Sequence, residues 1–469
     1  MRIDRLNSLD RLMLGASNTW PQDVGALGIL DGAELLDRAG DLRIDALRQA
    51  IESRLNLVPR FRQIIFHPGR FQGGPLWIDD LAFDIAEHVH EHVLPPPGGE
   101  HEVMEAVEQL RKRRLAPSCP LWEVWFLTGL TGQQIGLYVR IHHAVADGMA
   151  AMTAVAAFLD RSADTAPGPV VPWIPAPAPS SRDLFLDSMV KRFESWMGLL
   201  AALLHPVSTF RRIRATWPAM HELVAEAPST RTTLDRMVGP DRRVALVRDR
   251  LDDVKAVGKS HQATVNDVLL AAIAGGLRAL LQERGELVPG TTLRVYSPIS
   301  LRKGMPGVQQ GNLVVQMAIP LELGEPDPVH RLRQIAAATK QRKGRARTSL
   351  GFLIHGRITR RLMLMAAMRQ RVNLATASIP GPTEPLYLLG APVLEVFPIL
   401  PLIANEPLAA GALSYAGALN IGITADRDVV PDIDVFTAGV CAELETLGAP
   451  PLVGHDALTG APAVRERSH

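Results

Sequence analysis

The chain has 469 residues, of which 47% are hydrophobic and 21% charged, a composition typical of a folded globular protein with two domains. Lysine and arginine total 50 against 49 aspartate and glutamate residues, so the charge balance argues against a whole-chain attraction to nucleic acid. The two cysteines, Cys119 and Cys441, are too few for a disulfide framework or a CxxC zinc site, and they favour a reducing, cytoplasmic setting.

No apolar segment approaches the roughly 20 uninterrupted residues that a bilayer-spanning helix needs. The N-terminal segment has charges scattered through it, unlike a signal peptide. The most apolar run, residues 391–404, is interrupted by Glu395 and by prolines. We therefore expect a protein that contacts a membrane surface without crossing the membrane.

The first part of the chain predicts mixed α/β structure. Residues 24–30 and 137–145 have the pattern of strands, and residues 45–57 and 102–116 have apolar residues at helical spacing. A proline-rich tract at 166–181 then predicts a semi-rigid linker.

The α/β pattern resumes at about residue 240, with a predicted strand at 242–251 and a predicted helix at 264–285. We predict an α/β protein with domains at 1–165 and 216–469, connected at 166–215 by the linker and an amphipathic helix.

The predicted connecting helix begins near residue 184 and has a stripe of large apolar side chains. Its members are Phe185, Met189, Phe193, Trp196 or Met197, Leu200 and Leu204. Two interpretations stay open, a helix packed on its own protein or an amphipathic element at a lipid surface.

The sequence IHHAVADG at 141–148 places two adjacent histidines at the end of an alternating segment. Alternation directs His143 to the apolar side of the strand and His142 to a more polar side. Because burial keeps an imidazole uncharged near neutral pH, His143 is the candidate general base and His142 a structural partner. Asp147 is placed to cap the next helix or pair with a cation, and Gly148 permits a close turn.

The histidine pattern alone leaves other roles open, because histidines on strands are often structural. A metal site is the weaker hypothesis, since adjacent strand residues point to opposite faces and no HExxH motif is present. Likewise, His88, His90 and His92 favour a solvated strand over a metal site. The chain also lacks a GxSxG motif, and a base without a protein nucleophile favours direct acyl transfer to an acceptor hydroxyl or amine.

The segment HHAVADG resembles the HHxxxDG signature of the chloramphenicol-acetyltransferase-like acyltransferase superfamily. More closely, the chain is similar to bacterial wax ester synthase/diacylglycerol acyltransferases nearly from end to end. Segments in the family's order include LDRLML (9–14), VPRFRQ (58–63), PLWE (120–123), TVNDVLLA (264–271), SPISLR (297–302), IPGP (379–382) and LSYAGALNIGITADRDVVPD (413–432). Cys119, where a basic residue often precedes PLW, and Ser378, where asparagine is expected before IPGP, depart from the pattern.

The resemblance implies two chloramphenicol-acetyltransferase-like α/β domains with a substrate tunnel at their interface. Acyl-CoA would enter from one side and the acceptor alcohol from the other, and both would reach His143, the second histidine of the motif. Asp147 would have a structural role in orienting the turn. The resemblance implies no metal and no cofactor, with acyl-CoA as a co-substrate.

Two further motifs of the family supply candidate residues. Asn266 of the ND motif is the candidate donor to the oxyanion, and the same motif adds Asp267 to the candidate substrate-binding residues. The spacing of Asp267 from Thr264 nevertheless favours a helix-capping box. Pro120, Leu121 and Trp122 form the family's PLW motif, interpreted either as a channel lining or as a proline-started edge strand with a core tryptophan.

We therefore expect an acyl-CoA-dependent O-acyltransferase that makes triacylglycerol from diacylglycerol and wax esters from long-chain alcohols. Its partners would be these substrates and a membrane or lipid droplet surface, with no nucleic acid. Its location would be cytoplasmic, at the inner membrane face or on lipid droplets. The alternatives are a carrier-protein-dependent condensation or polyketide-associated acyltransferase, and a non-catalytic lipid-droplet-binding protein.

Overall fold

Two six-stranded sheets form the framework of the computed structural model, which describes residues 3–17, 19–146, 148–165, 168, 172–205, 229–300, 314–346, 372–450 and 452. In chain order the strands are β1 (Asp23–Asp31), β2 (Gln63–Phe66), β3 (Leu76–Asp79), β4 (Val89–Val93), β5 (Trp122–Thr128), β6 (Gln134–His142), β7 (Arg242–Arg250), β8 (Thr292–Ser300), β9 (Val314–Glu322), β10 (Leu374–Pro380), β11 (Tyr387–Leu388), β12 (Ala391–Ile399), β13 (Leu408–Tyr415) and β14 (Ala418–Asp426). The α-helices are α1 (Ser8–Ala16), α2 (Ile44–Glu52), α3 (Glu100–Lys112), α4 (Gly148–Ala157), α5 (Ser181–Leu204), α6 (Leu251–Ser260), α7 (Val265–Glu283), α8 (Pro328–Ala346) and α9 (Ile433–Leu447).

The first sheet has the strand order β11-β12-β1-β6-β5-β4 and is antiparallel except between β4 and β5. Every residue of its inner strand β6 is buried. On one side, Leu137 and Val139 pack in a core that includes residues of α4. On the other, α3 covers Tyr138 and Arg140. The side that the sequence predicts to be more polar does carry Gln134, Arg140 and His142, but these side chains are buried because a layer covers each face of the sheet.

The second sheet has the order β7-β14-β13-β10-β8-β9, with parallel pairing where β10 meets β13 and β8. Its core contains most of α7 and the inner face of α9. Within the part of the chain that the structure describes, α7 is the one helix long and apolar enough to cross a membrane, and 72% of its apolar window is buried in the protein.

Strands from the second half of the chain complete the first sheet. β12 pairs with β1 in antiparallel register, from Gly25 opposite Ile399 to Leu30 opposite Val393, and β11 pairs with β12. The predicted boundaries at 1–165 and 216–469 stay a prediction, but they do not separate the two sheets. The N-terminal sheet includes strands from the C-terminal range because pairing partners are chosen in space and not by sequence position.

Polar side chains connect the two sheets across α3. The Glu108 carboxylate accepts a hydrogen bond from the backbone N–H of Val244 in β7 at 2.9 Å and pairs with Arg427 at 2.7 Å. Arg248 of β7 donates to Glu395 of β12 at 2.7 Å. These contacts give the charged groups of this buried junction the partners that a charge in the interior needs.

The predicted elements differ from the observed ones chiefly at their ends. The helix predicted at 45–57 ends at Glu52 and is followed by a 3₁₀ turn at Leu55–Leu57. Within the predicted linker, residues 172–180 have no regular structure and α5 begins at Ser181. The predicted boundary between 215 and 216 lies outside the described residues.

Candidate active site

The histidine turn is held by the strands on both sides of β6. The backbone N–H of His143 donates to the carbonyl of Gln22 at 2.8 Å, which extends the pairing of β1 with β6 by one residue. The N–H of His142 donates to the carbonyl of Leu121, next to β5, at 2.9 Å. Strand β6 ends at His142, so the predicted strand at 137–145 is three residues too long and His143 lies in the turn.

His142 is buried and its ring is fixed by hydrogen bonds at both nitrogens. The backbone N–H of Ala144 donates to Nδ1 at 3.0 Å, which requires Nδ1 to be unprotonated. Nε2–H then donates to the Ser17 hydroxyl at 2.6 Å, and this hydroxyl donates to the carbonyl of Met13. Burial lowers the pKa of His142 to about 4, against the opposing charge of Asp23. His142 is therefore a neutral side chain that connects the turn to α1.

His143 is half-buried, and its Nδ1 is buried without a hydrogen-bond partner among the residues that the structure describes. A reacting molecule can approach the ring only from its accessible side, so Nε2 is the nitrogen available to a substrate. Asp147 lies outside the described residues, and its role stays a prediction. Gly148 is the first residue of α4.

The N-terminal segment lies against the same turn. Leu6 packs with Trp77 and Ala144 in a small buried cluster. Burial raises the pKa of Asp10 in α1, while hydrogen bonds from Asn7 and the charges of Arg60 and His143 act to lower it. The N-terminal helix, which contains the LDRLML segment, therefore shares the electrostatic environment of His143.

A small apolar cavity of about 30 Å³ lies next to the histidine turn, between the first sheet, α4 and residues of the second half of the chain. Its lining comprises Val24, Gly25 and Ala26 of β1, Val139 and Ile141 of β6, Ala151, Met152 and Val155 of α4, and Ile379, Pro398 and Leu400. The lining is apolar throughout, as the lining of a site for a hydrophobic group would be. The predicted tunnel through the interface stays a prediction.

The PLW segment lies directly behind the histidine turn. Trp122 is fully buried, donates from Nε1 to the carbonyl of Phe61 at 2.8 Å, and stacks on His88 with ring centroids 4.5 Å apart. Pro120 and Leu121 are also buried, and the Leu121 carbonyl holds His142. These contacts favour the interpretation of Trp122 as a core side chain, and a channel-lining role for the motif stays a prediction.

His88 is not part of a solvated strand, contrary to the sequence interpretation. Its ring is buried between Phe83 and Trp122, Nδ1 contacts the Trp122 carbonyl at 2.9 Å, and burial lowers its pKa. His90 instead stacks on Trp125. Within the described ranges, no group of three or more His, Cys, Asp or Glu side chains is arranged to hold a metal ion.

Asp267 forms the capping box that its spacing predicts. Its Oδ2 accepts hydrogen bonds from the backbone N–H and the hydroxyl of Thr264 at 2.8 and 2.7 Å, and its Oδ1 accepts from Thr339 at 2.6 Å. Both carboxylate oxygens are therefore occupied by the protein, while direct substrate contact by Asp267 stays a prediction. Asn266 is half-buried in the first turn of α7, and its predicted role at the oxyanion is likewise untested.

One buried ion pair near the site was not singled out from the sequence. Arg140 is 1% exposed, binds Glu123 at 2.9 Å and lies 3.8 Å from Asp23, and it donates to the Leu110 carbonyl. The sequence signal that could have indicated this ion pair is an arginine in the middle of an apolar strand. The pair stiffens the strand that presents the histidines, because each charge needs its partner in the interior.

Comparison with known proteins identifies the family. The sequence model of the wax ester synthase/diacylglycerol acyltransferase catalytic domain matches residues 6–269, and that of the C-terminal domain matches residues 310–448. The chain belongs to this family. The resemblance drawn from HHAVADG and the accompanying segments is confirmed, and the protein is an acyltransferase.

Relatives and solved structures agree with this assignment. A probable diacylglycerol O-acyltransferase of Mycobacterium tuberculosis is 28% identical over 429 residues, 89% of each chain. A second, putative one from that organism is 30% identical over 422 residues, 85% of this chain and 87% of the relative.

Among solved structures, the wax ester synthase/diacylglycerol acyltransferase of Marinobacter aquaeolei VT8 has a TM-score of 0.68 at 21% identity, covering 94% of this chain and 98% of that one. The first condensation domain of the calcium-dependent antibiotic synthetase has a TM-score of 0.60 at 16% identity, covering 96% and 97%. The predicted chloramphenicol-acetyltransferase-like fold is confirmed by these likenesses.

Proposed function

We propose that the protein transfers a long-chain acyl group from acyl-CoA to the free hydroxyl of diacylglycerol, and also to long-chain alcohols. The observation that supports this proposal is the half-buried His143 beside a cavity lined by apolar residues, two positions along the chain from the cavity residue Ile141. The apolar lining matches a hydrocarbon chain in chemical character, because contact between them leaves no polar group unpaired. The relatives named as diacylglycerol O-acyltransferases support the same substrate class.

In the proposed reaction, Nε2 of His143 takes the proton of the acceptor hydroxyl as its oxygen attacks the thioester carbonyl. The tetrahedral intermediate collapses by breaking the carbon–sulfur bond, and the imidazolium returns the proton to the CoA sulfur. The products are an ester and free CoA, and the enzyme forms no covalent intermediate. General-base assistance of this kind contributes about 10²–10⁴-fold to the rate.

The negative charge on the carbonyl oxygen needs a hydrogen-bond donor, which contributes roughly 3 kcal/mol in comparable sites. Asn266 is our candidate. The neutral His142 fixes the turn without adding charge to it, because its pKa lies near 4. The reaction needs no cofactor beyond the co-substrate acyl-CoA.

The substrates also suggest where the enzyme works. Diacylglycerol and long-chain alcohols reside in lipid, so we place the protein in the cytoplasm, bound peripherally to the inner membrane face or to lipid droplets. The chain has two cysteines, too few for a disulfide framework, and this is compatible with the reducing cytoplasm.

Substitution of His143 tests the proposed base. His143→Gln should lower kcat/KM for CoA release from palmitoyl-CoA with diolein by about 10²–10⁴-fold, because the variant cannot accept the hydroxyl proton. The exposed His101 provides a matched control, since His101→Gln should leave the rate unchanged. Near wild-type turnover in His143→Gln would overturn the assignment of the base.

The choice of acceptor is tested by offering diolein, hexadecanol and a small water-soluble alcohol with palmitoyl-CoA. The proposal expects CoA release with diolein and hexadecanol. A carrier-protein-dependent enzyme would release no CoA from free palmitoyl-CoA with any acceptor, and that result would reject the proposed donor.

A further inference from the structure

Helix α5 exposes an unusual number of large apolar side chains. Between Met189 and Gly198 every residue is exposed, including Phe193 at 62% and Trp196 at 58%. Among the side chains of the helix that the structure describes, the exposed large apolar ones are Phe185, Leu186, Met189, Val190, Phe193, Trp196, Met197, Leu203 and Leu204. Of the two interpretations of the predicted stripe, these exposures favour the lipid-surface one, although Leu200 of the stripe is half-buried.

These side chains share one side of the helix. At about 100° of rotation per residue, the nine positions fall within an arc of about 140°, which we call the apolar arc. Lys191 and Glu194 lie outside it, and Arg192 lies at its border. A helix in a globular protein normally turns such an arc toward the core.

The opposite side of α5 is the one that contacts the protein. Leu184 and Ser188 are buried, at 1% and 4% exposure, and Asp187 binds Arg5 at 2.6 Å. Arg5 also donates to the carbonyls of Gln72 and Gly74. The helix is thus fixed to the body by Leu184, Ser188 and the Asp187–Arg5 pair, and the apolar arc lies on the other side.

One apolar side chain from outside α5 extends the apolar arc. Phe71, in the loop between β2 and β3, is 63% exposed and has a positive φ of 68°. The guanidinium of Arg192 lies 5.7 Å from the centre of its ring. The loop that holds Phe71 is the one to which Arg5 bonds, so the loop and the helix form one unit.

We infer that the apolar arc of α5, together with Phe71, docks the enzyme on an electrically neutral lipid surface. The helix has three basic residues, Arg182, Lys191 and Arg192, and three acidic ones, Asp183, Asp187 and Glu194, so its net charge is zero. A neutral helix gains nothing from anionic headgroups. Its aromatic and aliphatic side chains instead gain free energy by entering the headgroup–acyl boundary.

A fluid lipid interface can accommodate all nine exposed side chains of the apolar arc together with Phe71. The choice of lipid rests on the proposed function, because an enzyme acting on diacylglycerol must reach it where it resides. The attachment also lies near the site, since Leu6, next to Arg5, packs against Ala144 of the histidine turn.

Vesicle flotation tests the docking without requiring catalysis. Full-length protein should float with phosphatidylcholine vesicles containing diolein, equally at low and high salt, because apolar insertion is not screened. Phe193→Ser and Trp196→Ser should each weaken partitioning by about tenfold, and the double variant by about a hundredfold. Val288→Ser, which removes a side chain 52% exposed after α7, is the matched control and should leave partitioning unchanged.

Thermal stability and lipid charge provide two controls. The thermal midpoint of the double variant should equal that of the wild type. A lowered midpoint with unchanged flotation would show that another part of the chain, such as residues 206–228, covers the arc, and this would overturn the inference. Flotation that requires anionic lipid, or that ignores both substitutions, would overturn it as well.

Activity separates this inference from the proposed function. The double variant should lose transfer to vesicle-borne diolein while keeping transfer from a short-chain acyl-CoA to a water-soluble alcohol. A wild-type protein that floats but transfers no acyl group in either assay would contradict the proposed function alone. Equal transfer to vesicle-borne diolein by variant and wild type would contradict the docking alone.

Discussion

The two histidines of the motif differ in every property that bears on catalysis. His142 is 5% exposed, hydrogen bonded at both nitrogens and neutral, whereas His143 is half-buried with Nδ1 unpaired among the described residues. His142 is the last residue of β6 and His143 the first residue of the turn, so the two side chains have different surroundings. These differences are the ones that the proposed roles require, with His142 fixing the turn and His143 acting as the base.

The low pKa of His142 predicts a stability that depends on pH. The pKa falls from 6.5 to about 4 on folding, so the unfolded chain binds more protons between these values. The contribution of His142 to the free energy of unfolding is fully present above pH 6.5. It is lost progressively as the pH falls from about 6.5 to about 4, and it stays constant at lower pH. The loss amounts to on the order of 3 kcal/mol.

Urea unfolding across this range tests the effect. His142→Asn keeps an acceptor for the N–H of Ala144 but cannot titrate, so its free energy of unfolding should lack this pH-dependent part. The variant His101→Asn, at an exposed position, should keep the wild-type slope. An unchanged slope in His142→Asn would show that other groups are responsible.

Strand β12 is the element that connects the two halves of the protein. It pairs with β1 in the first sheet and packs across β13 and β14 of the second, where Gly411 and Gly422 face each other beneath Pro398. A Cβ on Gly422 would lie 2.1 Å from the Pro398 carbonyl oxygen. Only glycine permits this approach, and Pro398 in turn lines the apolar cavity.

Replacement of Gly422 should therefore be costly. Gly422→Ala is expected to lower the free energy of unfolding by about 3 kcal/mol, because the backbone of β12 must move away from the second sheet. Gly28→Ala is the matched control in the partner strand β1, where the nearest atom to the added Cβ is 3.6 Å away. Equal thermal midpoints for the two variants would contradict the proposed close contact.

In the molecule as a whole, the second half of the chain supplies two strands to the first sheet. Residues 1–165 contain four strands of the first sheet, and β11 and β12 supply the remaining two. Without them, β1 would expose a full edge and the cavity would lose Pro398 from its wall. The two halves should accordingly form one cooperative unit.

Cleavage of the linker tests this organisation. A protease site placed within residues 172–180, which have no regular structure, should give a nicked protein whose two fragments still elute together on gel filtration. The fragment 1–165 expressed alone should show no cooperative thermal transition. Two separately folded halves would show that the first sheet folds without β11 and β12.

Much of the site was predictable because its signals are local. HHAVADG, PLW and TVND each occupy a few consecutive residues, and the capping box formed by Thr264 and Asp267 needs no distant partner. The same holds for the alternation that separates His142 from His143 and for the apolar stripe of α5. Together with their order along the chain, these segments were sufficient to predict the family.

Only the tertiary structure decided what covers each face of a strand or helix. The buried Arg140 and His88, the aromatic stack around Trp122 and the entry of β12 into the first sheet all depend on residues far apart in sequence. Helix α5 is the clearest case, since its pattern predicts an apolar face but not whether that face points inward. Periodicity describes one element, whereas burial is a property of what packs against it.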